Sequence, residues 1–145
     1  MIRWLFLLFL SSCISHPLPS THQGADVVIF ALGLLDTQYQ FGGKNPNAGL
    51  DCSGMVTYIY QEAIGMHLNG NAKMLAQQGK RIHPQDLRPG DLVFFNTQQR
   101  QFSHVGIFLG EDKFIHAPNS KGKVRVEQFS KPYWQKRFDG ARTFF

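Results

Sequence analysis

The spacing of apolar residues changes once along this chain, from a helical period in its first half to strict alternation in its second half. After Cys52 the apolar positions follow a helical spacing, which Gly65 ends: Met55, Val56, Ile59, Tyr60, Ala63 and Ile64. Five later segments alternate in the manner of strands: 91–96, 104–110, 113–117, 123–129 and 137–145. Helices that precede antiparallel strands predict an α+β fold, with the helices packed on a five- to six-stranded antiparallel sheet.

Two further segments favour helices. Residues 25–35 are apolar on almost every side, which is typical of a largely buried helix, and residues 72–78 carry a weaker helical pattern. With 145 residues, 43% of them hydrophobic, the chain can form one core, so residues 25–145 are predicted to be one domain.

The positive charge of the chain does not indicate a nucleic-acid partner. The formal net charge is +5, but the basic residues are scattered and no recognisable nucleic-acid-binding motif occurs. An anionic polymer of a cell envelope suits the same charge balance.

The first residues have the features of a processing signal. Arg3 precedes a short apolar run, so residues 1–12 are predicted to be a signal peptide. The sequence "LSSC" resembles the lipobox of bacterial lipoproteins, which predicts that Cys13 is lipidated and that residues 13–24 form a tether. The alternative is an ordinary secretory signal with an incidental cysteine.

Cys52 is placed where a thiol can be reactive. If Cys13 is lipidated, Cys52 has no disulfide partner, and it lies in the first turn of a helix, whose dipole favours a thiolate. A nucleophilic thiol needs a nearby imidazole, and the predicted strands offer His104 and His116. Three alternatives remain: an inert core cysteine, structural histidines, or a three-ligand zinc site, for which no CxxC or HxxxH spacing is present.

The register of one hairpin decides whether the two histidines meet. A three-residue loop, 110–112, would pair Leu109 with Lys113 and Gly106 with His116. Both imidazoles would then lie on the same face, with Gly106 leaving room for them. A two-residue loop would place them on opposite faces, so we expect the longer loop.

Five motifs occur in an order that resembles the NlpC family of papain-like cysteine peptidases. They are "YQFGG" (39–43), "GLDCSG" (49–54), "LRPGDLVFF" (87–95), "SHVGIFLG" (103–110) and "FIHA" (114–117). Enzymes of this family cut the peptide stems of bacterial peptidoglycan. The resemblance implies a papain-like fold and no cofactor or metal.

The resemblance also implies roles for individual residues. Cys52 would be the nucleophile, His104 the general base and then acid, and His116 the residue that orients His104. Tyr39, Asp51 and Ser53 would line the substrate site. Each of these three has a structural alternative: Asp51 as a helix cap, Ser53 as a partner of an early backbone N–H, and Tyr39 as a core aromatic.

The implied setting is the bacterial cell envelope. A lipid-anchored monomer on the outer membrane, facing the periplasm, would act on peptidoglycan stems at a D-glutamyl–diaminopimelate or a D-alanyl–diaminopimelate bond. The alternative function is a non-catalytic wall-binding lipoprotein that keeps the fold. The segment "LNGNAK" (68–73) departs from the Pro, Arg, Ser/Thr run of many relatives, which leaves the details of substrate binding open.

Overall fold

The computed structural model describes residues 20–119 and 121–145. The predicted signal peptide, Cys13 and the tether as far as residue 19 lie outside the described residues. The helices are α1 (Ser20–Leu32), α2 (Cys52–Ile64), α3 (Ala72–Gln78) and the short α4 (Pro132–Gln135). None of the helices in this described part has the length and apolar character needed to cross a membrane.

Helix α1 differs from its prediction at both ends. It begins at Ser20 rather than at residue 25 and ends at Leu32, before a turn at residues 33–36. Gly24 packs directly against the backbone carbonyl of Pro89, so the end of the predicted tether belongs to the folded body. The residues just before Ala25 are polar or glycine, so the apolar spacing did not indicate that the helix begins earlier.

Within residues 20–119 and 121–145, eight strands form two sheets. A small hairpin pairs β1 (Lys44–Asn45) with β2 (Gly49–Leu50). The main sheet contains β3 (Lys80–Ile82), β4 (Leu92–Phe95), β5 (His104–Gly110), β6 (Lys113–His116), β7 (Arg125–Gln128) and β8 (Phe138–Thr143). Its order is β3-β8-β4-β5-β6-β7 and every pair is antiparallel, which confirms the predicted α+β class and a six-stranded sheet.

In the β5–β6 hairpin the two histidines lie on the same face of the sheet, as predicted, but the pairing of the strands near the turn differs from the prediction. Phe108 pairs with Phe114 as expected, but Gly110 rather than Leu109 pairs with Lys113, and a β-bulge separates the two pairs. The turn itself has two residues, Glu111 and Asp112, with φ of +50° and +62°. The expected three-residue loop was therefore wrong: the extra residue lies in the strand, where it preserves the same facing.

The sheet is buried on both faces. On one face, Leu92, Phe94, Val105, Ile107 and Ile115 pack with α1 and α2 in the main core. On the other face, Val93, Phe95, Phe114 and Trp134 form a second, smaller cluster. The strict alternation along β4, with all four residues buried, separates these two clusters.

Helix α2 has well-defined ends. Asp51 caps its first turn by accepting a hydrogen bond from the Gly54 N–H at 2.6 Å. Gly65 ends it in the left-handed conformation, with φ of +65°, which glycine adopts without steric cost. The helix therefore has the predicted bounds, and the sequence fixes Cys52 as its first residue.

Candidate active site

Cys52 lies at the junction between helix α2 and strand β5. It is partly exposed, and among the residues that the structure describes it is a free thiol. The backbone N–H groups of Val105, Ser53 and Cys52 itself lie near its sulfur and favour its charged form. Val105 follows His104 in the chain, so the thiol is held against the beginning of the strand that carries the histidine.

The loop before Cys52 is organised by one carboxylate. Besides capping α2, Asp51 accepts hydrogen bonds from the Gly42 N–H at 3.1 Å and from the Ser53 hydroxyl at 3.3 Å. The cap that was one of the readings of Asp51 is therefore present. Ser53 donates to this carboxylate and also lines a shallow cavity of about 300 Å³ beside α2.

Tyr39 lies on the other side of the thiol. It forms an isolated parallel bridge with Leu50 and packs, half-buried, against the main core. Burial raises the pKa of its hydroxyl, and the nearby Cys52 and Asp51 raise it further because their charged forms repel a phenolate. The hydroxyl therefore stays protonated and can donate a hydrogen bond next to the sulfur.

The two histidines form a direct pair. His104 Nε2 and His116 Nδ1 are 2.7 Å apart, and both rings are buried. Gly106 lies two residues after His104 on the same face of β5, and the Phe114 ring and the Ile115 carbonyl lie close to its Cα. The predicted meeting of the two imidazoles is therefore present in the structure.

Burial controls the protonation of this group of residues. Burial lowers the pKa of His104 to about 4 and that of His116 to about 2, the latter also through repulsion from His104 and Arg125. Burial raises the pKa of the Cys52 thiol to about 11, with Asp51 adding to the rise, although the backbone donors oppose it. The resting site therefore holds a thiol and two neutral imidazoles, not the thiolate expected from the helix dipole.

Two residues that sequence reasoning had not placed here complete the surroundings of the histidines. The Trp134 indole stacks on His104 with ring centroids 6.0 Å apart and meets His116 edge-on at 5.1 Å. Glu127 approaches the far nitrogen of His116, Nε2, to 3.8 Å. The histidines and these two residues line a groove of about 470 Å³. The sequence predicted no role in the site for either residue, because α4 and β7 reach the site only through tertiary packing.

The arrangement favours acyl transfer through sulfur rather than metal chemistry. Among the residues that the structure describes, no group of three or more His, Cys, Asp and Glu side chains is placed to hold a metal ion, which argues against the zinc alternative. A thiol beside backbone N–H groups, with a neutral imidazole pair on the adjoining strand, provides a nucleophile, oxyanion donors and a proton acceptor.

The chain is similar to known proteins in sequence and in fold. A sequence profile described as the NlpC/P60 family matches residues 36–143. The chain is 41% identical over 107 residues to the "Gamma-DL-glutamyl hydrolase" of Bacillus subtilis (strain 168), covering 73% of this chain and 26% of that protein. It is 37% identical over 145 residues to the "Probable endopeptidase NlpC" of Escherichia coli (strain K12), covering 93% and 92% of the two chains.

Among solved structures, the NlpC/p60 domain of the peptidoglycan hydrolase SagA superposes with a TM-score of 0.72 at 32% identity, covering 83% of this chain and 98% of that one. Several of the curated relatives are longer. The chain spans 26%, 40% and 45% of the length of three of them.

Proposed function

This chain belongs to the NlpC/P60 family, and from that premise we propose that it is a cysteine endopeptidase that hydrolyses amide bonds in the peptide stems or cross-links of bacterial peptidoglycan. The observation that carries the proposal is the placement of Cys52 at the start of α2, against the strand that begins with the buried and paired His104. The names of the relatives, which include a glutamyl hydrolase and a probable endopeptidase, support the same reaction class.

In the proposed reaction the Cys52 thiol gives its proton to His104 as sulfur attacks the scissile carbonyl. The sulfur–carbon bond forms, and the oxyanion receives hydrogen bonds from the Cys52 N–H and from the Tyr39 hydroxyl. His104 then protonates the leaving amine as the amide bond breaks. Water, deprotonated by His104, hydrolyses the thioester and restores the thiol.

The proton transfer is coupled to substrate binding. Thiol and imidazole are both neutral at rest, because burial disfavours their charged forms. The ion pair would form only when the developing oxyanion can be stabilised, so His104 acts as a general base during attack. His116 orients His104 through their 2.7 Å contact.

Asp51 and Ser53 are the proposed binding groups for the peptide amine. One oxygen of the Asp51 carboxylate binds the Gly42 N–H, and the other binds Gly54 and Ser53. A carboxylate that is fixed in this way is a suitable partner for a cationic amine of the substrate. Helix capping and substrate binding are compatible roles for Asp51.

The test of the nucleophile is Cys52→Ala. We expect this variant to release no stem fragments from purified sacculi, while its unfolding temperature stays close to that of the wild type. Cys13→Ser is the matched control, since it removes the other cysteine of the chain and should leave fragment release unchanged. Release by Cys52→Ala would refute the proposal.

The scissile bond is either D-glutamyl–diaminopimelate or D-alanyl–diaminopimelate. The two bonds give fragments of different mass from a defined cross-linked muropeptide. Mass spectrometry of the products therefore distinguishes them, and intact muropeptide after incubation with active protein would exclude both.

We also propose that residues 1–12 are a signal peptide and that the mature protein, with lipidated Cys13, is a monomer on the periplasmic face of the outer membrane. The support is the sequence "LSSC" and the short distance along the chain from Cys13 to the beginning of α1. Intact mass spectrometry after expression in a bacterium should show a diacylglyceryl-modified chain that begins at Cys13. An unmodified mature chain would contradict this proposal.

A further inference from the structure

The outer nitrogen of His116 is an unusual group in this fold. His116 is fully buried, and its Nε2 has no hydrogen-bond partner among the described residues. The nearest charged group is the Glu127 carboxylate, whose Oε1 lies 3.8 Å away. A buried polar atom without a partner normally costs stability, so this placement calls for a functional explanation.

The position of the proton on His116 determines whether His104 can act as a base. If Nε2 of His116 carries the proton, its Nδ1 is an acceptor, and His104 Nε2–H donates across the 2.7 Å contact. The free nitrogen of His104, Nδ1, then has a lone pair that can receive the thiol proton. If instead His116 Nδ1 carries the proton, the proton of His104 is on Nδ1 and the ring cannot accept another.

The sheet register presents Glu127 to the correct nitrogen. His116 pairs with Arg125 and Phe114 pairs with Glu127, so the carboxylate lies diagonally from the imidazole on the same face of the sheet. A negative charge at 3.8 Å favours the tautomer whose N–H points towards it. The alternative tautomer would direct a lone pair at the carboxylate.

Two cations hold this carboxylate in place. Arg125 Nε donates to Glu127 Oε1 at 2.8 Å, and Lys131 Nζ lies 3.4 Å from Oε2. The Glu127 side chain is only 14% exposed. The charged or titratable neighbours of His116 are His104 from β5 and Arg125 and Glu127 from β7. Lys131, in the turn before α4, contacts Glu127. The Trp134 ring packs edge-on against the His116 ring.

We propose that Glu127 is a positioning residue that fixes His116 in its Nε2–H tautomer and thereby keeps the Nδ1 of His104 free to accept the proton of Cys52. This assignment rests on the proposed function and extends the proposed triad to a line of four side chains. Glu127 also lines the groove beside the histidines, and in this role it acts through His116.

The direct test is the tautomer itself. Two-bond ¹H–¹⁵N correlation spectra of histidine-labelled Cys13→Ser protein distinguish Nε2–H from Nδ1–H. We expect His116 to be in the Nε2–H form, and we expect the Nδ1–H form to increase in Glu127→Gln and Glu127→Ala. Glu111→Gln is the matched control, because it removes the same charge from the exposed hairpin turn at the opposite end of β5 and β6.

Kinetics on a defined muropeptide provide the second measurement. The outer partners of metal-bound histidines typically contribute about 10- to 100-fold, and we expect kcat of Glu127→Gln to fall by a factor of that order. KM should stay unchanged if Glu127 acts only through His116, and Glu111→Gln should match the wild type in both constants. Glu127→Gln keeps the size of the side chain, so this variant should fold without leaving a cavity.

The outcomes separate this assignment from the proposed function. An Nδ1–H tautomer of His116 in the unsubstituted protein would overturn the role of Glu127, and so would an unchanged tautomer and kcat in both Glu127 variants. A protein with the Nε2–H tautomer that cleaves no muropeptide would instead overturn the proposed function and leave the tautomer assignment intact.

Discussion

The thiol of Cys52 is subject to opposing influences. Backbone N–H groups at the start of α2 and on β5 stabilise a thiolate, whereas burial and the Asp51 carboxylate disfavour it. Burial is the largest of these effects, so the pKa lies above that of an ordinary thiol. A site of this kind limits oxidation and alkylation at rest and depends on His104 for deprotonation at the moment of attack.

The contribution of Asp51 can be measured by removing only its charge. Asp51→Asn keeps a good N-cap, so the free energy of unfolding should change by less than about 0.5 kcal/mol. The pKa of Cys52 should fall, and the rate of iodoacetamide alkylation at pH 8 should rise about three- to tenfold. The measurement uses the Cys13→Ser background, in which Cys52 is the only remaining thiol.

Asp86→Asn is the control for this prediction, because Asp86 is exposed and is not among the groups that influence Cys52. An equal rise in both variants would indicate a general charge effect. A slower reaction of Asp51→Asn would contradict the stated influence of Asp51 on the thiol.

The buried histidine pair makes the fold sensitive to acid. His116 has a pKa of about 2 in the folded protein against an ordinary value of 6.5. Below pH 6.5 the unfolded chain binds a proton that the folded chain does not bind, so stability falls as the pH falls. Between pH 7.5 and 5 the neutral His116 ring should lower the free energy of unfolding by about 2 kcal/mol. Over the same range the free energy of unfolding of His116→Gln should therefore fall by about 2 kcal/mol less than that of the wild type.

Denaturant unfolding at the two pH values measures this difference. His67→Gln is the control, since His67 is exposed on the segment after α2 and its removal should leave the acid-induced loss of stability unchanged. An identical loss in His116→Gln and the wild type would show that the His116 ring is not buried in its neutral form.

At this scale the sequence predicted which candidate side chains lie near one another but not their full surroundings. Cys52, His104 and His116 were candidates because each lies in a periodic segment whose buried face can be deduced, and their proposed roles came from the family resemblance. Trp134 and Glu127 were not identifiable, since an aromatic residue in a one-turn helix and an acid on an outer strand have many ordinary roles. Their proximity to the histidines depends on how α4 and β7 pack.

At the scale of elements, the β5–β6 hairpin is the part of the fold on which the site depends most. Its two-residue turn alone would put the histidines on opposite faces, and the bulge before Gly110 restores their shared face. Gly106 then provides the space. A Cβ at this position would lie 2.7 Å from the Phe114 ring and 2.9 Å from the Ile115 carbonyl oxygen.

Gly106→Ala should therefore force β5 and β6 apart. The carbonyl oxygen belongs to the backbone and cannot rotate away, so we expect a loss of about 1–3 kcal/mol in the free energy of unfolding. Peptidase activity should decrease further than the unfolded fraction explains, because the His104–His116 contact would lengthen. Denaturant unfolding and muropeptide assays at the same temperature measure the two effects.

Gly33→Ala offers a comparison at the end of α1, where the nearest heavy atom to an added Cβ is the Phe30 carbonyl oxygen at 3.2 Å. We expect a smaller change in stability there and full activity. Wild-type activity and stability in Gly106→Ala would contradict the need for an unsubstituted Cα between the two imidazoles.

The accuracy of the element predictions follows from segment length. The bounds of α2, α3 and β5 agree with the sequence predictions. Each contains enough periodic positions to indicate the type of element, and a glycine marks where it ends. Strands β1, β2 and β3 were missed, since two or three residues cannot display an alternation. The bulge was missed because the alternation along a strand shows on which face of the sheet each side chain lies, but it does not determine the number of residues in the turn.

At the scale of the whole molecule, the site lies where the two cores meet. Cys52 packs against the main core on the helical side of the sheet, whereas His104 and His116 contact the second cluster through Phe95, Phe114 and Trp134. In the proposed reaction the sulfur and an imidazole would have to meet at the beginning of β5, because Val105, which lies near the sulfur, directly follows His104. A sheet buried on both faces would hold such a meeting point more rigidly than a loop would.

The distribution of charge over the molecule leads to a prediction about substrate association. The chain has a formal net charge of +5, and a cavity of about 670 Å³ is lined by Lys73, Arg81, Arg100 and Arg142. Ser103, the residue before His104 in the chain, also lines this cavity. The proposed substrate carries stem carboxylates, which such a surface would attract over about 10 Å at moderate salt.

Binding of the inactive Cys52→Ala protein to purified sacculi should therefore weaken as NaCl increases from about 0.05 to about 0.5 M, because the screening length shortens across this range. Adding Arg81→Glu and Arg100→Glu should reduce binding at low salt by about tenfold, the effect of roughly 1.4 kcal/mol. Lys121→Glu with Lys136→Glu makes the same change in net charge at exposed positions outside this cavity and should have a smaller effect. Equal losses in the two pairs would assign the attraction to net charge alone, and binding that does not respond to salt would remove electrostatics from the association step.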